Sequence, residues 1–91
     1  MTHTHLIGIG GTGLSAIAQV LLERGEVVSG SDRQSSPQSE SVQAAGAKVT
    51  IGHAAENVTG ADMVLRSSAV PDDNVEVQVA LAANIPVVKR I

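Results

Sequence analysis

Apolar and polar positions along the chain alternate between two periods. "HLIGIG", from His5 to Gly10, is a short apolar block that breaks on glycine. Hydrophobic spacing then turns helical, with Leu14, Ile17, Ala18, Leu21 and Leu22 at i, i+3, i+4, i+7 and i+8. Gly25 stands where a helix ends in a left-handed residue. A second strand is predicted from Val27 and Val28 through "SGSD", followed by the polar loop "SDRQSSPQSES", Ser31 to Ser41. The Ser and Pro content of that loop predicts mobility and the ability to close over a ligand. A short helix from about Gln38 to Ala45 should end at Gly46, before a third strand at Lys48 to Ile51. "GHAAENVTGAD" has room for one helical turn at most; a fourth strand runs from Asp62 or Met63 to about Arg66, and a last one lies near Pro86 to Lys89.

One segment carries both periods. Val75, Val77, Val79 and Leu81 alternate with polar or small residues as a strand would. Against this, Asp73 and Glu76 have the spacing of a capping box. Parallel neighbours also need a crossover of a dozen or more residues, usually helical. The segment is read as a helix. Strands and helices then alternate throughout, and right-handed crossovers turn that order into an α/β, doubly wound parallel sheet of five strands, order 3-2-1-4-5. Ligands of such sheets bind at the carboxyl ends of the strands. That edge should gather Gly10 to Gly13, Ser31, Asp32, His53 and Ser67 to Val70.

Four of the nine glycines fall between Gly8 and Gly13, and Gly8, Gly10 and Gly13 fit the spacing G-x-G-x-x-G. A tight strand-to-helix turn needs residues without Cβ, and a phosphate reaches the main chain only where no side chain intervenes. The first N–H groups of a helix lack partners within it, and the helix dipole adds positive charge there. A diphosphate is the expected occupant. Asp32, nineteen residues after Gly13, is placed to accept from ribose hydroxyls.

Composition narrows the function classes. The chain is long enough for one domain, residues 1–91, and small for an enzyme that must enclose several substrates. It has no Phe, Tyr, Trp or Cys, so the core is aliphatic and there is neither a base-stacking platform nor a thiol nucleophile or Cys-based metal site. A net charge of −3 without a basic cluster excludes binding along a nucleic-acid backbone. No signal-peptide pattern and no apolar run of membrane-spanning length is present, which makes a cytoplasmic protein the expectation.

"HLIGIGGTGLSAIAQVLLERGEVVSGSD", "GAKVTIGHAAENVTGADMVLRSSAVPDDNVEV" and "NIPVVKR" together resemble the N-terminal domain of the Mur ligases of bacterial peptidoglycan synthesis, over essentially the whole chain. The resemblance implies a Rossmann-like module that holds the UDP portion of UDP-N-acetylmuramic acid. It places Gly10, Gly11, Thr12 and Gly13 on the diphosphate, with Ser15 close by. Ser31 and Asp32 would face the ribose and uracil, while His53, Ser67, Ser68 and Ala69 would line the rest of the pocket. It also implies ATP and Mg2+ for the full-length ligase, on further domains in cis, with none bound here. The only lysines, Lys48 and Lys89, follow no glycine loop, and no G-x-x-x-x-G-K-[ST] sequence exists. The chain is therefore expected to be a substrate-binding N-terminal piece, inactive alone. "GTGLSAIA" fits the alanine-adding branch better than the muropeptide-recycling one.

Other residues carry plainer expectations. Arg66 replaces an apolar residue of the family pattern and is expected at a strand end, on the surface or against a phosphate. His3 and His5 point to one side of the first strand; two histidines make a poor metal site, so a solvent-exposed strand start is expected. Asp72 and Asp73 are expected as helix caps. No catalytic triad, carboxylate pair or metal site is expected. An NAD(P)-binding domain of a dehydrogenase or redox sensor is the alternative, since the glycine loop and Asp32 would serve an adenosine diphosphate equally well.

Overall fold

The computed structural model describes residues 2–90, so the two end residues of the expected domain lie outside it. Five parallel strands are present: β1 (His3–Ile7), β2 (Val27–Asp32), β3 (Lys48–Ile51), β4 (Met63–Ser67) and β5 (Val87–Arg90). They lie in the order β3-β2-β1-β4-β5, as the alternation predicts. The helices are α1 (Thr12–Glu23), α2 (Pro37–Ala44) and α3 (Val75–Ala82), with a 3-10 turn at Ala55–Val58. The order reverses at β1, which pairs with β2 on one side and β4 on the other. Among the described residues no helix is long and apolar enough to cross a membrane.

The central strand shows why the sheet is covered on both faces. Leu6 joins Ile9, Leu14, Ala18, Val28, Val42 and Ala47 under α1 and α2. Its neighbour Ile7 points the other way, into Val58, Val64, Val70, Val77 and Ala80 under α3. Successive strand residues alternate faces, so a strand between two apolar layers must be apolar at consecutive positions. Gly30, in β2, is a packing requirement that the sequence reading does not anticipate. A Cβ there would sit 2.5 Å from Ile9 Cδ1 and 2.8 Å from the Leu6 carbonyl oxygen. Ile9 therefore closes the core over a strand that must lack a side chain.

Helix α3 resolves the conflict of periods in an unexpected way. Its buried residues are Glu76, Val77 and Ala80, while Val75 and Leu81 are exposed. The valine alternation is not the packed face. Spacing alone could not reveal this, because the most buried position holds a carboxylate. The expected Asp73 cap is also corrected. Asn74 is the N-cap and accepts from the Glu76 N–H at 2.8 Å, so the Glu76 side chain turns inward instead of back. The polar loop after β2 is shorter than expected, since Ser36 caps α2 in a reciprocal box with Ser39 and Pro37 sits at its first turn.

Candidate functional site

β1 ends at Ile7, and Gly8 turns the chain with φ +87°, a conformation that side chains resist. The turn is tied down from beneath, as Gly8 and Ile9 donate to the Ser31 carbonyl at 2.8 and 3.1 Å and Gly11 donates to the Gly8 carbonyl at 2.9 Å. Asp32 reaches back from the end of β2, and its Oδ2 accepts from the Gly10 N–H at 2.9 Å. Of the expected main-chain set, Gly10 and Gly11 are thus tied internally and the helical end stays open. The Gly10 and Gly11 amides are already paired. Those of Thr12, Gly13 and Leu14, the first turn of α1, have no acceptor among the described residues.

This helix start differs from the other two. The N-cap of α1 is Gly11, with no side chain to fold back and no acidic residue in the first turn. α2 and α3 are capped by Ser36 and Asn74, and each carries a glutamate near its start. Side-chain caps satisfy orphan amides and acids offset the dipole. Among the described residues, only the start of α1 has neither a side-chain cap nor an acidic residue in its first turn.

The start of α1 opens on a cleft of about 590 Å³ at the carboxyl ends of the strands. Gly8, Gly10 and Gly11 form one wall, Asp32 to Ser36 another, and His53 with Ser67 and Ala69 to Pro71 the third. The structure thus brings together Gly10, Gly11, Asp32, His53, Ser67 and Ala69 of the expected set, while Thr12 and Gly13 are exposed and lie outside the cleft lining. Ser15 does not join them. It lines the groove between α1 and α2, and its hydroxyl donates to the Thr12 carbonyl at 3.1 Å. Ser68 is exposed and outside the cleft lining. Ser67 Oγ accepts from the Ala69 N–H at 3.3 Å and shapes that turn.

Ser31 lies under the cleft rather than on its surface. Its side chain is fully buried, 2.9 Å from His53 Nδ1 and donating at 2.7 Å to Glu76 Oε1. Glu76 is itself completely buried and collects donors from every side. His5 Nε2 donates to Oε1 at 2.6 Å, while the Ala54 N–H and Asn57 Nδ2 donate to Oε2 at 3.0 and 2.9 Å. Burial alone would raise the Glu76 pKa, but the hydrogen bonds from His5, Asn57, Ser31 and Ala54 outweigh it. Together they lower it from 4.5 to about 2. The expectation of an exposed His5 is accordingly overturned, since it is 1% exposed because α3 covers that face and supplies its acceptor. His3 does share its side, with Nε2 2.7 Å from Ser29 Oγ.

Arg66 is corrected as well. It is buried on the α3 face of the sheet; Nη1 donates to Asp72 at 2.6 Å and Nη2 donates to the Val70 carbonyl at a short distance. The pair clasps the loop that carries Ala69 and Val70 into the cleft, and the Arg66 guanidinium holds the Asp72 carboxyl below its usual range. Asp72 is thus an ion-pair partner and not a cap. Two residues were missed by sequence reasoning. Glu76 gave a signal only as a cap. Arg33 lines the cleft, is exposed, and forms no ion pair among the described residues, so its charge is available to an anion.

A sequence profile described as "Mur ligase family, catalytic domain" matches residues 3–91. The chain is 52% identical over 88 residues to UDP-N-acetylmuramate–L-alanine ligase of Laribacter hongkongensis, covering 97% of this chain and 19% of that protein. It superposes on the crystal structure of UDP-N-acetylmuramate–alanine ligase from Thermotoga maritima with a TM-score of 0.94 and 31% identity, over 99% of this chain and 21% of that one. The crystal structure of UDP-N-acetylmuramate:L-alanyl-γ-D-glutamyl-meso-diaminopimelate ligase from Neisseria meningitides gives 0.87 and 30%, over 98% and 28%. The chain spans about a fifth of the length of the curated relatives it matches. With its sheet order, glycine turn and cleft, it belongs to the Mur ligase family, as that family's N-terminal Rossmann-like domain.

Proposed function

We propose that this domain binds the UDP moiety of UDP-N-acetylmuramic acid for an ATP-dependent, alanine-adding ligase of peptidoglycan synthesis, in the cytoplasm. The observation that carries this reading is the uncapped start of α1, where three adjacent amides lack acceptors directly after Gly10 and Gly11 of the cleft wall, in a chain whose relatives are named for that substrate. The diphosphate docks on the amides of Thr12, Gly13 and Leu14, with Gly10 and Gly11 allowing close approach and Arg33 supplying the countercharge. Asp32, His53, Ser67 and Ala69 face the ribose and uracil. Ser31 acts from below.

The domain's part is binding and orientation. ATP and Mg2+ do not fit the residues present. Lys48 and Lys89 are exposed on β3 and β5, away from the glycine turn, and among the described residues no group of three His, Cys, Asp or Glu is placed to hold a cation. Activation of the substrate carboxylate and capture of alanine are assigned to the rest of the ligase, acting in cis. Holding the nucleotide end rigidly converts the later encounter of the reacting groups into an intramolecular one.

Calorimetric titration of the chain with UDP-N-acetylmuramate, UDP and NADH in parallel tests the reading. Heat with both uridine ligands and none with NADH is expected. Binding of NADH alone would replace it with the dinucleotide alternative.

A further inference from the structure

Glu76 belongs to no binding surface, yet its carboxylate dictates which way the hydrogen bonds run beneath the cleft. An ionised carboxylate accepts and cannot donate. The Ser31 hydroxyl, 2.7 Å from Oε1, must therefore spend its single proton on Glu76. Having no other proton, Ser31 Oγ can meet His53 Nδ1, 2.9 Å away, only as an acceptor. Nδ1 must then carry the hydrogen. Glu76 Oε2 stands 3.4 Å from Nδ1 without a hydrogen bond to it, so the contact with Ser31 decides the tautomer. In a neutral imidazole one nitrogen carries the proton and the other is bare. His53 Nε2 is consequently a lone pair, on a ring that is 19% exposed and lines the cleft.

We propose that Glu76 is a positioning residue which, through Ser31, fixes the tautomer of His53 so that the cleft presents an acceptor at Nε2. That acceptor pairs with a hydroxyl or imide N–H of a nucleoside and repels a phosphate oxygen. The histidine thereby sorts the ligand's ends, favouring the sugar and base on its own wall and leaving the diphosphate to the helix start. The ligand part of this inference rests on the function proposed above; the tautomer part does not.

The same carboxylate orders a second arm. His5 must donate from Nε2 to Oε1, which leaves Nδ1 of a neutral ring to accept from Ser29, 2.8 Å away, and Ser29 in turn to accept from His3 Nε2. The two arms offer separate readouts of one cause.

Glu76→Gln reverses the logic without changing shape. The Ala54 N–H is main chain and cannot invert, so the glutamine oxygen must stay on it. The NH2 then faces His5 and Ser31. Ser31 becomes an acceptor from glutamine and a donor to His53 Nδ1, which moves the His53 proton to Nε2. Ring-nitrogen NMR of 15N-labelled chain in mildly alkaline buffer, without ligand, reads this directly. The parent should show His53 protonated at Nδ1, and Glu76→Gln should show it at Nε2. A parent His53 protonated at Nε2, or on both nitrogens, would overturn the proposal, as would a folded Glu76→Gln with an unchanged tautomer. Should that variant fail to fold, Ser31→Ala cuts only one arm. His53 should then lose its preference for Nδ1 while His5 keeps Nε2–H, and retention of the parent pattern at His53 would refute the relay. In titrations, Ser31→Ala should weaken UDP by about fivefold, the worth of one neutral hydrogen bond, and leave inorganic pyrophosphate unchanged. Equal UDP binding would remove the sorting role. A parent that binds no UDP, with the tautomers as expected, would instead discard the nucleotide reading and keep the relay.

Discussion

The glycine wall of the cleft offers main-chain groups from one unbroken stretch, Gly8 to Leu14, whereas the histidine wall depends on side chains from three segments that meet only in the fold. On the first wall the chain withholds side chains, so a ligand there would meet amides whose directions are set by the turn and the helix. On the second, Ser31, His53, Asn57 and Glu76 hold one another in a polar cluster of which only His53 lines the cleft. The glycine wall is cheap in stability and sensitive in binding. The histidine wall should behave in the opposite manner, because a half-satisfied buried network is worse than none.

The largest test of that contrast is Glu76→Ala. It strips the acceptor from Ser31, His5, Asn57 and the Ala54 N–H at once, and should cost about 3–5 kcal/mol in urea unfolding. A loss under about 1 kcal/mol would show that the cluster is not held as one unit. Acid tests the same point without mutation. The folded Glu76 carboxyl holds its proton more weakly than the unfolded one, so its stabilisation is complete above pH 4.5 and is lost as pH falls towards about 2. The loss should be on the order of 3 kcal/mol, and Glu76→Gln should flatten that part of the stability profile.

On the glycine wall the effects are smaller and separable. A Cβ at Gly10 would lie 2.7 Å from Ser36 Oγ and 2.8 Å from Asp32 Oδ2, both ends of side chains that can give way. Gly10→Ala should cost about 1–3 kcal/mol and loosen the Asp32 contact. A Cβ at Gly11 would sit 3.2 Å from the Gly8 carbonyl, so a side chain there disturbs the turn as well as the ligand. Gly13 is the cleaner probe, with nothing within 4 Å of its Cβ. Gly13→Val should raise the unfolding free energy by no more than about 1 kcal/mol, while abolishing UDP heat in calorimetry. Undiminished binding would move the diphosphate away from the start of α1.

Legibility follows the same divide. The G-x-G-x-x-G turn, the amphipathic face of α1 and the strand order depend on residues close in sequence or on general crossover rules, and the structure has them as read. Gly25 takes φ +80° behind α1, as its position implies. The errors fall where a side chain answers to a distant partner. His5 looked solvent-exposed because nothing near it in sequence could satisfy it; its partner is 71 residues away. Arg66 looked like a surface or phosphate-binding group until Asp72 and the Val70 carbonyl closed around it. Even in the glycine loop, pairing of Gly10 with Asp32 and of Gly11 with the Gly8 carbonyl leaves amides open only from Thr12 onward.

Spacing and residue type alone determined a five-stranded α/β domain and the sheet edge at which its cleft opens, because periodicity and glycine geometry act over a few residues; the family came from the resemblance of longer stretches. Which amides remain open, which face of α3 is packed and which nitrogen of His53 meets the cleft were decided only by folding. Those answers depend on where protons and lone pairs from remote segments find one another once water is excluded, and a chain read in order does not contain that distance.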